Sequence, residues 1–188
     1  MNRVEGILAV STNNVIGQKD AIPWHHSGDF KHFKSITMGH GVLMGYPTFV
    51  GMAKNYATPG KVMLPGRTIF VVGREPFDID IDIDQSNVIM LPTHGPKDDI
   101  ETALKHLGDH QKLFIAGGAR IYRDYLQYAN KVYLTRIDLV CPVDHDTVFL
   151  TNFDTKNWRT SFTTSVEICG PNSLKATYFQ LEGIQNEI

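Results

Sequence analysis

One acidic residue near the start of the chain stands among apolar ones. In the stretch "AIPWHHSGDFKHFK", residues 21–34, Asp29 lies close to Trp24, Phe30 and Phe33. A carboxylate among apolar groups loses stability unless a partner compensates for its burial. Such an acid, facing an apolar cleft with a raised pKa, suits hydrogen bonding to an amidine-like group of a substrate.

A simpler interpretation of Asp29 is a structural one. An acid in the first turn of a helix satisfies free backbone N–H groups. Ser27 or Gly28 could cap the same helix equally well. The residues alone leave both interpretations open.

A pair of glycines follows an apolar run in "LFIAGGARIY", residues 113–122. Gly117 and Gly118 allow a close approach of backbone to a ligand, and the helix that follows offers free N–H groups to a phosphate. A tight turn without a ligand explains the pair equally well. The spacing is not the glycine fingerprint of dinucleotide-binding folds.

Two arginines stand at opposite ends of one predicted strand in "LPGRTIFVVGRE", residues 64–75. The planar fork of Arg67 or Arg74 could bind a carboxylate or a phosphate. Two solvated charges at the ends of a strand are the simpler interpretation, and the sequence favours it.

The segment from about Ser11 to Gly28 is predicted as a loop without regular structure. Its length favours a mobile lid over a site, although a plain connection is possible. The neighbouring histidines do not have the spacing of metal ligands, and no metal site is predicted. His32, on the first helix, is predicted to lie on the surface.

The elements that would position these residues alternate along the chain. Strands are predicted where short apolar runs stand between turn residues, at 6–10, 41–45, 68–72, 87–91, 112–116 and 131–139. Helices are predicted from apolar spacing and acids at their starts, at 29–36, 98–107 and 119–129. Residues 157–168 and 173–182 favour an antiparallel hairpin. This order predicts an α/β fold with a mainly parallel sheet.

Composition restricts the function further. The 188 residues carry a formal net charge of −2, so no nucleic acid or membrane surface is expected as a partner. Cys141 and Cys169 form no metal motif or disulfide framework, which favours a reducing cytoplasm. No signal peptide or membrane span is predicted. We expect one monomeric domain over residues 1–188, with a disordered tail after about residue 182. "DIDIDID", residues 78–84, is predicted as an exposed loop or edge strand.

These segments, in this order, resemble the dihydrofolate reductase family. The matching motifs are "ILAVS", "VIG", "IPW" followed by Asp29, "VLMG", "LPGR", "VVGRE", "IAGGARIY", "YLTRID" and "DTVF". They run through most of the chain, and their order makes the resemblance specific. It implies a mostly parallel eight-stranded sheet, about four flanking helices and an antiparallel C-terminal hairpin. It also implies hydride transfer from NADPH to C6 of dihydrofolate with protonation at N5.

The resemblance assigns a role to Asp29. Its carboxylate would bind the 2-amino and N3 groups of the pterin and favour protonation at N5, with Thr135 hydrogen-bonded to it. Arg67 would take the α-carboxylate of the glutamate. The implied catalytic residues are Asp29, Trp24 and Thr135. The implied substrate-binding residues are Ile7, Asp29, Phe30, Phe33, Met52, Arg67, Ala116 and Thr135.

The resemblance also assigns an NADPH site. The loop from Gly17 to Ile22 would close with Trp24 over the nicotinamide and exclude water. A cis Gly117–Gly118 peptide is implied at the pyrophosphate, and Arg74 would contact the 2′-phosphate. The implied cofactor-binding residues are Ala9, Ile16, Gly17, Ile22, Gly45, Tyr46, Thr48, Gly73, Arg74, Gly117, Gly118, Ala119, Arg120, Ile121 and Tyr122.

The chain departs from the family pattern at several positions. Tyr46 stands where Arg or Lys is usual, Pro47 lacks an N–H donor, and Gly73 replaces a usual Ser or Thr. Gly51 replaces a common Ser, and the segment between Phe49 and Arg67 is longer than in compact members. These departures predict weaker binding of NADPH than is usual in the family.

Two other functions fit parts of the pattern. A reductase of a ribosyl-pyrimidine precursor of riboflavin would share the NADPH site but not the "PW", Asp29 and "LPGR" set. A nucleotide-binding protein without turnover would explain Tyr46, Pro47 and Gly73. Such a protein would have no physical reason to keep Asp29 and Thr135 together.

Overall fold

The computed structural model describes residues 3–73, 83–168 and 174–183. The strands are β1 Val4–Ser11, β2 Val15–Gln18, β3 Gly41–Gly45, β4 Thr68–Gly73, β5 Val88–Pro92, β6 Leu113–Ile115, β7 Lys131–Ile137, β8 Thr147–Phe149, β9 Trp158–Ile168 and β10 Leu174–Gly183. The helices are α1 Ser27–Thr37, α2 Tyr46–Tyr56, α3 Pro96–Lys105 and α4 Ala119–Tyr125. None of the helices in the described ranges is long and apolar enough to cross a membrane.

Eight strands form the main sheet in the order β5-β4-β3-β6-β1-β7-β10-β9. The pairs from β5 to β7 are parallel, whereas β10 runs antiparallel to both β7 and β9. This confirms the predicted α/β fold and its antiparallel hairpin. The turn between β9 and β10, the chain after residue 183 and residues 78–82 of "DIDIDID" lie outside the described residues.

The central strands are apolar on both faces because helices cover both sides of the sheet. In β3, Leu43 packs into the core beneath α3 and α4, while Val42 and Met44 pack beneath α2 with Phe49. A strand that is buried on both faces shows continuous apolar residues instead of alternation. The continuous apolar runs in the sequence therefore correspond to the central strands of the sheet.

In the described ranges, helix α2 and the small sheet of β2 and β8 were not predicted from the residue pattern. Residues 15–18 form β2, which pairs antiparallel with β8, so the segment from Ser11 to Gly28 is not without regular structure. Helix α2, which begins with Tyr46 and Pro47, was not located in advance, because the resemblance implied only that about four helices flank the sheet. Pro at the first turn of a helix loses no hydrogen bond, because the N–H groups there have no intrahelical acceptor. Both elements border the cleft described below.

A buried carboxylate joins α3 to α4. Asp99, 2% exposed, accepts hydrogen bonds from the hydroxyls of Thr93 and Tyr125 and from the backbone N–H of His94. Tyr125 ends α4, and α4 follows directly on Gly117 and Gly118. The network therefore holds the helix that begins at the glycine pair.

We expect Asp99→Ala to lower the free energy of unfolding by about 2–3 kcal/mol, because it leaves buried donors without their acceptor. Denaturant unfolding measures the change. Asp98→Ala is the matched control, since Asp98 is exposed in the same first turn of α3. Equal losses in the two variants would contradict this role of Asp99.

Candidate active site

One large cleft opens at the carboxyl ends of the parallel strands. Its volume is about 1240 Å³. Helix α1 forms one wall with Phe30 and Phe33, and α2 forms the other with Met52 and Tyr56. Ligands of open α/β sheets bind at this edge, because the loops that follow the strands meet there.

The structure brings most of the predicted site residues together. The cleft is lined by Ile7, Ala9, Ile16, Gly17, Ile22, Trp24, Asp29, Phe30, Phe33, Gly45, Tyr46, Thr48, Met52, Gly73, Ala116, Gly117, Gly118, Ala119, Arg120, Ile121, Tyr122 and Thr135. Arg67 does not line it, and Arg74 lies outside the described residues. The residues come from nearly every element of the parallel part of the sheet, which sequence spacing alone does not reveal.

Asp29 is the buried acid of this cleft, with 8% of its surface exposed. Burial raises the pKa of its carboxyl above the ordinary value. The hydroxyl of Thr135 on β7 and the indole N–H of Trp24 act in the opposite direction. Burial is the largest of these effects, so the carboxyl keeps its proton to a higher pH than a solvated one.

Trp24 has a buried polar atom beside this carboxyl. Its Nε1 has no hydrogen-bond partner among the described residues. Its effect on Asp29 is therefore weaker than that of a formed hydrogen bond. A buried donor of this kind fits a polar group of a ligand or a bridging water.

The amino end of α1 differs from the predicted one. Neither Ser27 nor Gly28 is the cap. His26 is, because its Nδ1 accepts a hydrogen bond from the backbone N–H of Asp29 at 3.0 Å. The side chain of Asp29 is directed to Thr135 and Trp24, so its cap interpretation is wrong.

Two helices begin side by side at the far end of the cleft. Helix α2 follows β3, α4 follows β6, and the N–H of Gly45 donates to the carbonyl of Gly117 at 2.8 Å. The Gly117–Gly118 peptide is cis, as the resemblance implied. The hydroxyl of Thr48 lies so close to Gly118 that a Cβ there would stand 2.9 Å from it. Free N–H groups of two helix ends and one hydroxyl suit a phosphate.

Tyr122 connects the glycine pair to strand β1. Its hydroxyl donates to the carbonyl of Ile7 at 3.0 Å, and its ring packs against Gly117. Burial and the charge of Asp29 both raise the pKa of this phenol, so it stays a donor. The carbonyl of Ile7, a residue that the resemblance assigns to the substrate site, thus has a partner within the protein.

Arg67 is buried, contrary to the interpretation as a solvated charge, with 6% of its surface exposed. Its guanidinium donates to the carbonyls of Leu64 and Pro65, both at 3.3 Å, and to the hydroxyl of Thr37 at 3.4 Å. These acceptors are neutral, and burial lowers the pKa of Arg67. Leu64 and Pro65 line the cleft, so the cation lies just behind its wall.

Several residues of the cleft were not predicted. His32 was expected on the surface, but it is half-buried against the ring of Tyr178 and lines the cleft, and burial lowers its pKa. His25, Tyr56 and Lys61 also line it. His25 follows "IPW" directly and could have been included on that ground. Lys61 belongs to the long 50–66 segment and gave no signal.

The loop that follows β2 is attached to α2. Asn55 donates through Nδ2 to the carbonyl of Asp20 at 3.0 Å. Gly51, one turn earlier, packs so closely on the same carbonyl that any Cβ would overlap it. Gly51 therefore permits the loop to rest on the helix, which is a physical reason for a glycine at this position.

One exposed group in the described residues could supply metal ligands, formed by Asp144, His145 and Asp146. The carboxylate of Asp144 already accepts hydrogen bonds from other residues of the chain. Asp144 accepts from the side chains of Gln18 and Thr147 and from the N–H of Asp146. These bonds support the loop between β7 and β8 next to β2.

Comparisons with known proteins agree with this geometry. A family model described as dihydrofolate reductase matches residues 3–182. The dihydrofolate reductase type 3 of Salmonella typhimurium is 35% identical over 132 residues, which are 70% of each chain. The dihydrofolate reductase of Haemophilus influenzae is 31% identical over 156 residues, 83% of each chain.

A solved structure shares the fold. It is that of the dihydrofolate reductase from Enterococcus faecalis complexed with NADP(H) and RAB-propyl. The TM-score is 0.75, with 21% sequence identity and 97% of each chain covered.

The packing of the loop after β2 on helix α2 should protect this loop from protease. We expect Gly51→Ala to accelerate tryptic cleavage after the exposed Lys19 by roughly tenfold, because overpacking costs about 1–3 kcal/mol and must displace the loop. Asn55→Ala should have a smaller effect, through one lost hydrogen bond. Gly108→Ala, where a Cβ meets only Gln111 at 3.5 Å, is the control. An unchanged cleavage rate in Gly51→Ala would contradict the attachment.

Proposed function

This chain belongs to the dihydrofolate reductase family, and on that premise we propose how its residues carry out the NADPH-dependent reduction of dihydrofolate to tetrahydrofolate. When bound, NADPH supplies a hydride to C6 of the dihydropterin. The product serves one-carbon metabolism and thymidylate synthesis. The observation that carries the assignment of roles is the buried Asp29, which faces the cleft beside Thr135 and Trp24.

The residues of the cleft fit NADPH. The amino ends of α2 and α4, with the hydroxyl of Thr48, offer donors to the pyrophosphate. Ala9, Ile16 and Gly17 supply an apolar surface for the nicotinamide. Arg74, proposed to contact the 2′-phosphate, lies outside the described residues. The weaker NADPH binding expected from Tyr46, Pro47 and Gly73 stays a prediction.

We assign to Asp29 the binding of the pterin and a role in favouring its protonation at N5 through water. The carboxylate would accept hydrogen bonds from the 2-amino and N3 groups, which compensate its burial. Burial raises the pKa of this group above the ordinary value, and the carboxyl bound to the pterin would favour protonation at N5. Thr135 keeps the carboxyl oriented toward the ligand.

Trp24 and the loop from Gly17 to Ile22 are assigned to the exclusion of water. Both line the cleft at the nicotinamide end, and α2 holds the loop in place through Gly51 and Asn55. Removal of water strengthens the interactions of Asp29 with the pterin.

Arg67 is proposed as the partner of the glutamate α-carboxylate. Neutral carbonyls hold the guanidinium of Arg67 in place but do not compensate its charge. A buried positive charge of this kind would be stabilised by a bound anion. Phe30, Phe33 and Met52 would line the path between the pterin and this charge. The same cleft is the expected site of antifolates.

Other parts of the interpretation stay predictions. We propose a cytoplasmic monomer with one domain over residues 1–188, with no nucleic-acid or membrane partner. The relatives named dihydrofolate reductase leave the ribosyl-pyrimidine alternative without support. Binding of NADPH without turnover of dihydrofolate would favour the non-enzymatic alternative.

We expect Asp29→Asn to lower kcat for dihydrofolate by at least about a hundredfold at pH 7. The loss should grow as pH rises, because water alone must then supply the proton at N5. Loss of NADPH absorbance measures the rate, with NADH as a comparison cofactor. A variant that keeps wild-type turnover across the pH range would exclude Asp29 from the reaction.

Stability measurements separate this loss from unfolding. Between the ordinary value of 3.8 and its raised pKa, folded Asp29 holds a proton that the unfolded chain releases, so stability falls as pH rises through this window. Asn has no such cost. The variant should therefore be more stable than the wild type at pH 7, with the advantage lost in acid.

Arg67→Lys tests the glutamate site. The charge is kept but the fork is lost, so we expect KM for dihydrofolate to rise roughly tenfold or more. Dihydropteroate, which lacks the glutamate, is the control substrate, and its KM should be unchanged. A parallel rise for both substrates would place the effect of Arg67 elsewhere.

A further inference from the structure

The histidine that caps α1 has both ring nitrogens engaged. Nδ1 of His26 accepts from the N–H of Asp29 at 3.0 Å, and Nε2 lies 3.2 Å from the carbonyl oxygen of Leu174 on β10. An N–H can donate only to an unprotonated nitrogen, and a carbonyl can only accept. Together these contacts define a neutral imidazole with its proton on Nε2.

The ring is enclosed tightly. His26 is 1% exposed, and a Cβ on Gly28 would stand 2.9 Å from its Cε1 and 3.2 Å from the hydroxyl of Tyr178. Gly28 therefore makes room for the ring. Because it does not line the cleft, His26 cannot touch a ligand there.

The ring of His26 joins the helix that carries the catalytic acid to a strand that lies beside this acid. Helix α1 carries Asp29, and β10 carries Tyr178, whose pKa is raised by burial and by the charge of Asp29. A second contact between these elements comes from His32, whose ring centre lies 4.3 Å from that of Tyr178. Helix α1 is thus fixed against β10 at its amino-terminal cap and again near its middle.

The cap also determines what the side chain of Asp29 is free to do. In a capping box, the acid at this third helical position bonds back to the backbone at the helix start. Here the neutral imidazole satisfies the N–H of Asp29, and the carboxyl is directed to Thr135 and Trp24 instead. A neutral histidine at the cap position, unlike an aspartate there, places no second carboxylate next to that of Asp29.

We propose that His26 is a positioning residue for the reaction. As a neutral clamp between α1 and β10, it holds the carboxyl of Asp29 in its orientation toward the pterin. This rests on the proposed function of Asp29. His26 acts through Asp29 and does not contact the substrate.

A double-mutant cycle tests the clamp on the intact enzyme. We expect His26→Leu to lower kcat at least tenfold in the wild type but less than twofold in the Asp29→Asn background. The rates are measured in acid, where Asp29→Asn loses least. His26→Asn, which keeps an acceptor for the N–H of Asp29, should stay within about threefold of the wild type. His110→Leu, at an exposed histidine, is the control.

The outcomes are distinct. Equal losses in both backgrounds would reduce His26 to a structural residue and overturn the inference. Wild-type activity in Asp29→Asn alone would overturn the proposed function instead. If His26→Leu does not fold, nitrogen-15 NMR of histidine in the wild type decides the question. A protonated Nδ1 on His26 at pH 7 would contradict the clamp.

Discussion

The compensation of one buried carboxyl is the constraint on which the site depends. Asp29 is held in apolar surroundings by Thr135 on β7 and Trp24 before α1, which act on its carboxyl, and by His26, which accepts from its backbone N–H. None of these replaces the solvent fully, so the pKa of Asp29 stays raised. The protein thereby accepts a cost in stability at the position that we propose for pterin binding.

The remainder of the site follows from the common direction of the parallel strands. Strands β1, β3, β4 and β6 end at one edge, so the loops and helices that follow them converge there. Donors for phosphate gather where α2 and α4 begin, and apolar side chains gather where α1 faces α2. A cofactor and a substrate can therefore lie end to end in one cleft, with the acid near their junction.

Much of this fold could be read from the sequence, because strands covered on both faces leave continuous apolar runs. Helix α2 was harder, since Tyr46 and Pro47 carry signals that also fit a turn. The glycine pair, Asp29 and Thr135 could be recognised through an ordered set of motifs. The cap by His26 could not, because its acceptor role depends on a ring fitting over Gly28 and reaching β10. Contacts between distant segments leave no local pattern.

The close packing of Gly51 on the carbonyl of Asp20 has a consequence for the natural variation of this enzyme. Any side chain at position 51 collides with the loop as it stands, so a single substitution there is disfavoured even though the helix itself would accept it. A lineage can leave glycine only after the loop near Asp20 has changed its path. We therefore expect these two segments to evolve as a correlated pair, with loop changes preceding changes in the helix.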